Sequence, residues 1–288
     1  MAEKMTVRAA AKINLALDVT GKLENGYHSL ESVFQSVGLY DEVTVELADD
    51  ISVSCDVPAE FAEADEIPCD ERNIAYKAAK RFFENAGMNG GCHIHIKKGI
   101  PSQAGMGGGS ADAAAVMYCL SRLTGKEIIS PEKIGADVSF MLAGGTAYVE
   151  GIGEKITPIA DYSGHILVIA KGKDGVSTAD AYESIDSLDS PEHPETAKLV
   201  NAINNVPDEA YRYFGNLFEQ AVQLAEVDDI KSVMLKSSAL NSVMTGSGSA
   251  VFGLFTVKED AEKCAVELNR SGYFAKVCET VKCGIEEM

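Results

Sequence analysis

The chain reads as an α+β protein, and three observations say so. Strand-like alternation recurs at 43–47 (VTVEL), 51–57 (ISVSCDV) and 92–97 (CHIHIK). Helical patterning fills 73–87 and 110–123. The two kinds of segment are mixed without regular alternation, which disfavours a doubly wound parallel sheet. A length of 288 residues suits one large domain or two of ordinary size.

Taken in order, residues 5–19 carry the small and branched apolar residues of a strand, and Asn25-Gly26 is a turn dipeptide that joins strands. Residues 73–87 place Ala75, Ala78, Ala79, Phe82 and Phe83 on one helical face. A glycine-rich loop at 99–109 precedes the helix 110–123. Ser130-Pro131 has the form of an N-cap and first-turn pair, predicting a short helix toward Asp137. A strand follows at 146–150. The second half predicts a strand at 165–171, helices at 178–188, 194–204, 207–225 and 227–238, then a glycine-rich turn at 245–248. The strand 249–255, the helix 258–271 and the strand 273–280 complete a β-α-β unit. Pro158 to Gly164 is the expected boundary, giving lobes 1–158 and 159–288.

Composition excludes several classes. Forty-four acids against 25 bases give a net charge of −19, which repels polyanions, so no nucleic-acid partner is expected. A small anion remains possible where amides and a lysine converge. No run approaches the ~20 apolar residues of a membrane helix, and MAEKMTVRAA lacks the apolar stretch of a signal peptide. Seven scattered cysteines, with no CxxC pair, point to reduced thiols in the cytoplasm and to no zinc or other protein-held metal. His93 and His95 alternate on a strand and are expected to face solvent, His165 and His193 have no partner in view, and the acids at 60–71 read as a solvated loop.

The most informative segment runs from Gly99 through Pro101, Gly105, Gly107, Gly108, Gly109 and Ser110 to Asp112. Glycines leave amides unshielded and reach positive φ cheaply, so successive N–H groups can converge on one anion. The following helix adds its unpaired first-turn amides and the positive end of its dipole, a phosphate site. It is neither a Walker A loop, for want of Gly-Lys-Ser/Thr, nor a dinucleotide fingerprint, since Ser110 stands where the third glycine should be. A tight turn before a buried helix is the plain alternative.

Three other segments accompany this loop. They are Ala11-Lys12-Ile13-Asn14-Leu15 followed by Gly26-Tyr27-His28; Gly135-Ala136-Asp137-Val138 followed by Gly151-Ile152-Gly153-Glu154; and Val176-Ser177-Thr178 with Tyr182, then Met244 to Ser249. In this order, spanning residues 9 to 255, the set resembles the GHMP kinases, named for galactokinase and the homoserine, mevalonate and phosphomevalonate kinases. Within that family, Gly-Tyr-His combined with Gly-Ala-Asp-Val resembles the branch whose acceptor is a cytidine-diphosphate sugar alcohol of non-mevalonate isoprenoid synthesis.

The resemblance implies a two-lobed fold, with a ribosomal S5 domain 2-like N-terminal lobe and a ferredoxin-like C-terminal lobe. It implies ATP as phosphoryl donor with Mg²⁺, and no membrane partner. Asp137 would be the catalytic base and Lys12 its electrostatic partner. Pro101, Gly105, Gly107, Gly108, Gly109 and Ser110 would hold the ATP phosphates. Asn14, Tyr27, His28, Asp137 and Tyr182 would bind the acceptor, with the aromatics stacking on the pyrimidine and His28 bonding its polar edge. Gly246, Ser247 and Gly248 would form a second turn closing on the site. Taken singly, Lys12 also fits a solvated strand end, Asp137 a helix cap and Tyr182 a core tyrosine. The remaining readings are another GHMP small-molecule kinase, of homoserine or mevalonate type, and a catalytically silent metabolite-binding relative. Ser139 stands where the family writes proline, and the stretch from the loop to Asp137 is short by roughly one to two helical turns.

Overall fold

A computed structural model of the chain describes residues 4–58 and 67–288. Two long strands, β1 (Lys4–Lys22) and β2 (His28–Ala48), form an antiparallel hairpin at the centre of the first sheet. Along β1, residues 9–19 are buried without a break, because the sheet is covered on both faces there. β2 also pairs with β4 (Gly91–Lys97), and β4 pairs with β3 (Ser52–Asp56). The helices α1 (Ile74–Ala86) and α2 (Gly108–Thr124) pack on each other against this sheet. Asn73 caps α1 by accepting from the Ala75 N–H at 2.8 Å, and Gly87 ends it in the left-handed region. The expected apolar face, Ala75, Ala78, Ala79, Phe82 and Phe83, is buried.

After α2 come a single 3₁₀ turn (Pro131–Lys133), the short helix α3 (Val138–Ala143), and the strands β5 (Thr146–Gly151) and β6 (Lys155–Pro158), β5 pairing with β2. The second half builds a four-stranded antiparallel sheet from β7 (Ile166–Lys171), β9 (Asn241–Met244), β10 (Val251–Phe255) and β11 (Phe274–Glu279), in the order β11-β7-β10-β9. Helices α4 (Thr178–Asp186), α5 (Thr196–Asn205), α6 (Phe218–Ala221), α7 (Ala225–Lys236) and α8 (Lys258–Arg270) surround it. Two short strands, β8 (Gly215–Asn216) and β12 (Ile285–Glu287), return to β1. No helix among the described residues is long and apolar enough to cross a membrane.

Several expectations are corrected. The first half of β2 was not anticipated, because Ser32, Gln35, Ser36 and Asp41 break its alternation while lying buried. Each of Ser32, Gln35 and Asp41 has a polar partner there. The helix expected from Ser130 stops after one 3₁₀ turn: Ser130 sits at φ 52 and caps nothing, and α3 begins only after Asp137. The helix expected over 207–225 is split into a 3₁₀ turn (Pro207–Tyr213), β8 and α6, because residues 215–216 pair in parallel with Ala16 and Leu17. The strands at 155–158, 241–244 and 285–287 were also missed.

His93 and His95 are exposed, as expected. His165 and His193 do have partners: His165 stacks on Tyr162 with ring centroids 3.8 Å apart, and His193 Nδ1 lies 2.8 Å from Asp18. The seven cysteines are free thiols. Of the predicted acidic loop, residues 60–66 lie outside the described residues.

Candidate active site

The glycine loop is held by its backbone. Gly105 and Gly107 both sit at φ 70, and Gly107 occupies the N-cap position of α2 with no side-chain cap, so the first-turn amides are unspent. The Lys12 N–H donates to the Met106 carbonyl at 3.0 Å, tying the loop to β1. At the loop's entry, Asp41 Oδ1 accepts from the N–H groups of Gly99 (2.7 Å) and Ile100 (2.9 Å). Its other oxygen pairs with Lys98, whose ammonium also meets Asp112 at 2.8 Å. Burial pulls the Lys98 pKa down, but Asp112 and Asp41 outweigh it and the net shift is upward. Burial, and then the neighbouring Asp41, push the Asp112 carboxyl well above its ordinary value. One lysine between two buried acids leaves an excess negative charge, which is the physical cause of that upward shift.

The second glycine turn packs directly on this loop. A Cβ on Gly105 would collide with the Thr245 carbonyl, and one on Gly246, at φ 59, would lie 2.7 Å from Gly105 Cα. Asn14 fastens the same turn. Its Oδ1 accepts from Thr245 Oγ1 (3.1 Å), the Gly246 N–H (3.0 Å) and Lys12 Nζ (2.8 Å), while its Nδ2 donates to Ser32 at 2.9 Å. Asn216 supports the turn from behind by donating to the Met244 and Gly246 carbonyls.

Lys12 is no solvated strand end. It lies mid-strand at 4% exposure, its Nζ 3.8 Å from Asp137 Oδ2 and 4.8 Å from the centre of the Phe34 ring. Burial lowers its pKa, and the charge of Asp137 opposes that shift. Asp137 stands where an N-cap of α3 would, yet makes no cap bond. Its side chain keeps 27% of its surface exposed, so it is hydrated and open to a ligand. A Cβ on Gly107 would come within 3.4 Å of Lys12 Cγ and 3.5 Å of Asp137 Oδ2, so the loop lies directly over this pair. The short stretch after α2 has therefore not displaced Asp137 from Lys12. Gly153 packs on Ala136, which steadies the approach to Asp137.

Two cavities meet at the loop, and both have Gly105 and Gly107 in their walls. The first, of about 430 Å³, has Ile67, Pro68, Ile74, Lys98 and Pro101 in its wall together with Gly108 and Gly109. The second, of about 360 Å³, contains Lys12, Asn14, Ser110, Asp137, Tyr182, Gly246 and Ser247. Each is of a size that holds a small molecule. Gly248 lies outside both, against Met244 and Val176. Tyr27 is 61% exposed on the hairpin turn and does not wall the second cavity. His28 stands beside that cavity, stacked on Tyr182 with centroids 4.6 Å apart at 16°. Rings at that separation touch, so a third ring has no slot between them. Tyr182 thus has one face covered by His28 while still lining the second cavity, so it is no plain core residue.

Sequence reasoning missed Asp41, Lys98 and Asn216, all of which shape this site. Asp41 lies in the part of β2 that carried no strand signal, before the alternation at 43–47. Thr245 was legible as part of the second turn, but its hydroxyl donating to Asn14 spans 231 positions of sequence.

Comparison with known proteins gives the family. The pattern of the GHMP kinases N terminal domain matches residues 73–145, and that of GHMP kinases C terminal matches residues 193–273. The chain is 38% identical over 278 residues to a Clostridium acetobutylicum protein named 4-diphosphocytidyl-2-C-methyl-D-erythritol kinase, covering 92% of this chain and 96% of that one. A Clostridium botulinum protein of the same name is 41% identical over 271 residues, covering 90% and 94%. Among solved structures, a 4-(cytidine 5'-diphospho)-2C-methyl-D-erythritol kinase superposes with a TM-score of 0.79 at 29% identity, covering 96% and 99%. The homoserine kinase of Cytophaga hutchinsonii superposes at 0.76 with 20% identity, covering 100% and 98%, which speaks to the fold alone.

Proposed function

This chain is a member of the GHMP kinase family, and from that premise we propose that it transfers the γ-phosphoryl group of ATP to the 2-hydroxyl of 4-diphosphocytidyl-2-C-methyl-D-erythritol, a step of non-mevalonate isoprenoid synthesis. The observation that carries the reading is the Lys12–Asp137 pair, 3.8 Å apart, beneath the glycine ridge that two cavities share. The first cavity, with apolar walls at Ile67, Pro68 and Ile74, takes the adenosine. The second takes the acceptor alcohol, and the phosphoryl group crosses at Gly105 and Gly107. We take residues 1–158 and 159–288 as the two lobes, the break falling between β6 and β7.

An alcohol is a weak nucleophile. Asp137 accepts the hydroxyl proton as the oxygen bonds to the γ-phosphorus, the bond from that phosphorus to the β–γ bridging oxygen breaks, and ADP departs. Lys12 neutralises charge on the attacking oxygen and the transferring group, and the amides of 105–110 hold the phosphates. Asn14 positions Lys12 and the 245–246 turn through its Oδ1, and as a wall residue of the second cavity it also stands against the acceptor.

Magnesium suits this donor set as a passenger on the nucleotide. Among the described residues no three acidic, histidine or cysteine side chains are grouped to hold a metal. Ser110 would offer the ion a hydroxyl from the cavity wall. When bound, it neutralises phosphate charge.

The test follows ADP release by a coupled assay with the cytidine compound, homoserine and mevalonate in parallel. Release with the cytidine compound alone is expected; release with either of the others instead would replace the acceptor. Asp137→Asn keeps the shape and removes the base, and kcat is expected to fall by about 10²–10⁴-fold. Turnover near wild type in that variant would remove Asp137 from the chemistry.

A further inference from the structure

Beyond the reacting pair, one helix face grips one imidazole. Tyr182 and Asp186 are four residues apart on α4, so they lie one turn above each other. Tyr182 stacks on the His28 ring, and Asp186 Oδ1 lies 2.7 Å from His28 Nε2. The other carboxylate oxygen pairs with Lys22. Lys22 and His28 face each other across the β1–β2 hairpin, so a single carboxylate takes both. Hydrogen bonds from Lys22, then from His28, hold the Asp186 carboxyl below its ordinary pKa. His28 keeps 9% of its side chain exposed, and its Nδ1 has no hydrogen-bond partner among the described residues.

We propose that Asp186 is a specificity-determining positioning residue, which orients His28 so that the acceptor's cytosine is chosen over uracil. This rests on the cytidine-linked acceptor proposed above. A carboxylate only accepts hydrogen bonds, so the shared hydrogen belongs to Nε2. In the neutral ring Nδ1 then carries the lone pair. Stacking on Tyr182 fixes the plane of the ring, and with it the direction of that lone pair. Cytosine presents a 4-amino donor to it. Uracil presents a carbonyl oxygen at the same place, so two acceptors would face each other unpaired. A site built to bond one group rejects the analogue lacking it. Lys22 keeps the carboxylate from turning away. Asp186 touches no reacting atom, so its effect belongs to acceptor affinity and not to the chemical step.

The experiment compares the cytidine-diphosphate acceptor with its uridine counterpart in wild type, Asp186→Ala and Asp186→Asn, and measures calorimetric binding of CDP and UDP alongside. In Asp186→Ala, the KM for the cytidine acceptor is expected to rise about tenfold, the worth of one hydrogen bond. The preference for cytidine over uridine shrinks by a similar factor, and kcat stays within about twofold. Asp186→Asn retains an acceptor oxygen and is expected to recover part of the preference, a recovery that a merely structural role would not produce. An unchanged cytidine preference in folded Asp186→Ala, or an equal loss of kcat with both acceptors, overturns the proposal. Wild type that binds CDP no better than UDP also overturns it, even where the cytidine acceptor is turned over. Wild type that binds CDP preferentially but phosphorylates neither acceptor, with that preference lost in Asp186→Ala, upholds the role of Asp186 and removes the proposed activity instead.

Discussion

At the scale of single residues, the burial of Lys12 carries a cost to the fold. An ammonium at 4% exposure has lost most of its hydration, and its nearest opposite charge stands 3.8 Å away. Its folded pKa therefore lies below the ordinary 10.5. Between those two values the unfolded chain binds more protons than the folded one, so stability rises with pH across that window. Lys12→Met keeps the bulk of the side chain and removes the charge. Phosphoryl transfer is expected to vanish, while the Tm at pH 7 equals or exceeds that of wild type and stability varies less between pH 7 and 10. Thermal melts at several pH values check this, and a Tm several degrees below wild type at pH 7 would show that the ion pair stabilises. Lys12 and Asp137 were both legible as candidates from their neighbours in sequence. Their burial and separation were not, because they stand 125 positions apart in the chain.

At the scale of elements, the active site is two glycine turns packed backbone against backbone, one from each sheet's neighbourhood. Such an approach requires residues without Cβ, and Gly105 is the tightest case. Gly105→Ala adds a methyl against the Thr245 carbonyl at a positive φ, and the backbone alone costs about 1–2 kcal/mol. A lower Tm and a raised KM for ATP are both expected; melts and initial rates measure them, and a variant with unchanged KM would separate the turn contact from phosphate binding. The helices α1 and α2 were legible because their signals are local: apolar residues on one face of α1, and a run of apolar helix formers directly after the glycine loop in α2. The first half of β2 was opaque because its buried polar residues have partners elsewhere, Ser32 with Asn14 and Gln35 with Thr146. The break at 215–216 was opaque because it exists to pair with β1, some 200 residues earlier.

At the scale of the whole molecule, a net charge of −19 surrounds a site that binds polyanions. Local amides, Lys12 and Lys98 must therefore overcome a repulsive field, and the folded chain also repels itself. Raising monovalent salt from ~10 mM to ~0.2 M shortens the screening length to below about 10 Å. The Tm is expected to rise by a few degrees, which calorimetry across a sodium chloride series measures; a flat or falling Tm would mean the charges are already paired. By itself the sequence determined the mixed α+β class, the glycine loop and its helix, the family, and most of the residues that gather at the site, since each of these is written in short, contiguous motifs. Only the tertiary structure decided how they meet: Lys12 buried against Asp137, Asn14 bonded to the second turn, Tyr182 closed on His28, and Asp186 holding that ring. Those contacts join segments dozens to hundreds of residues apart, and hydrogen bonding and burial between such segments leave no periodic trace along either one.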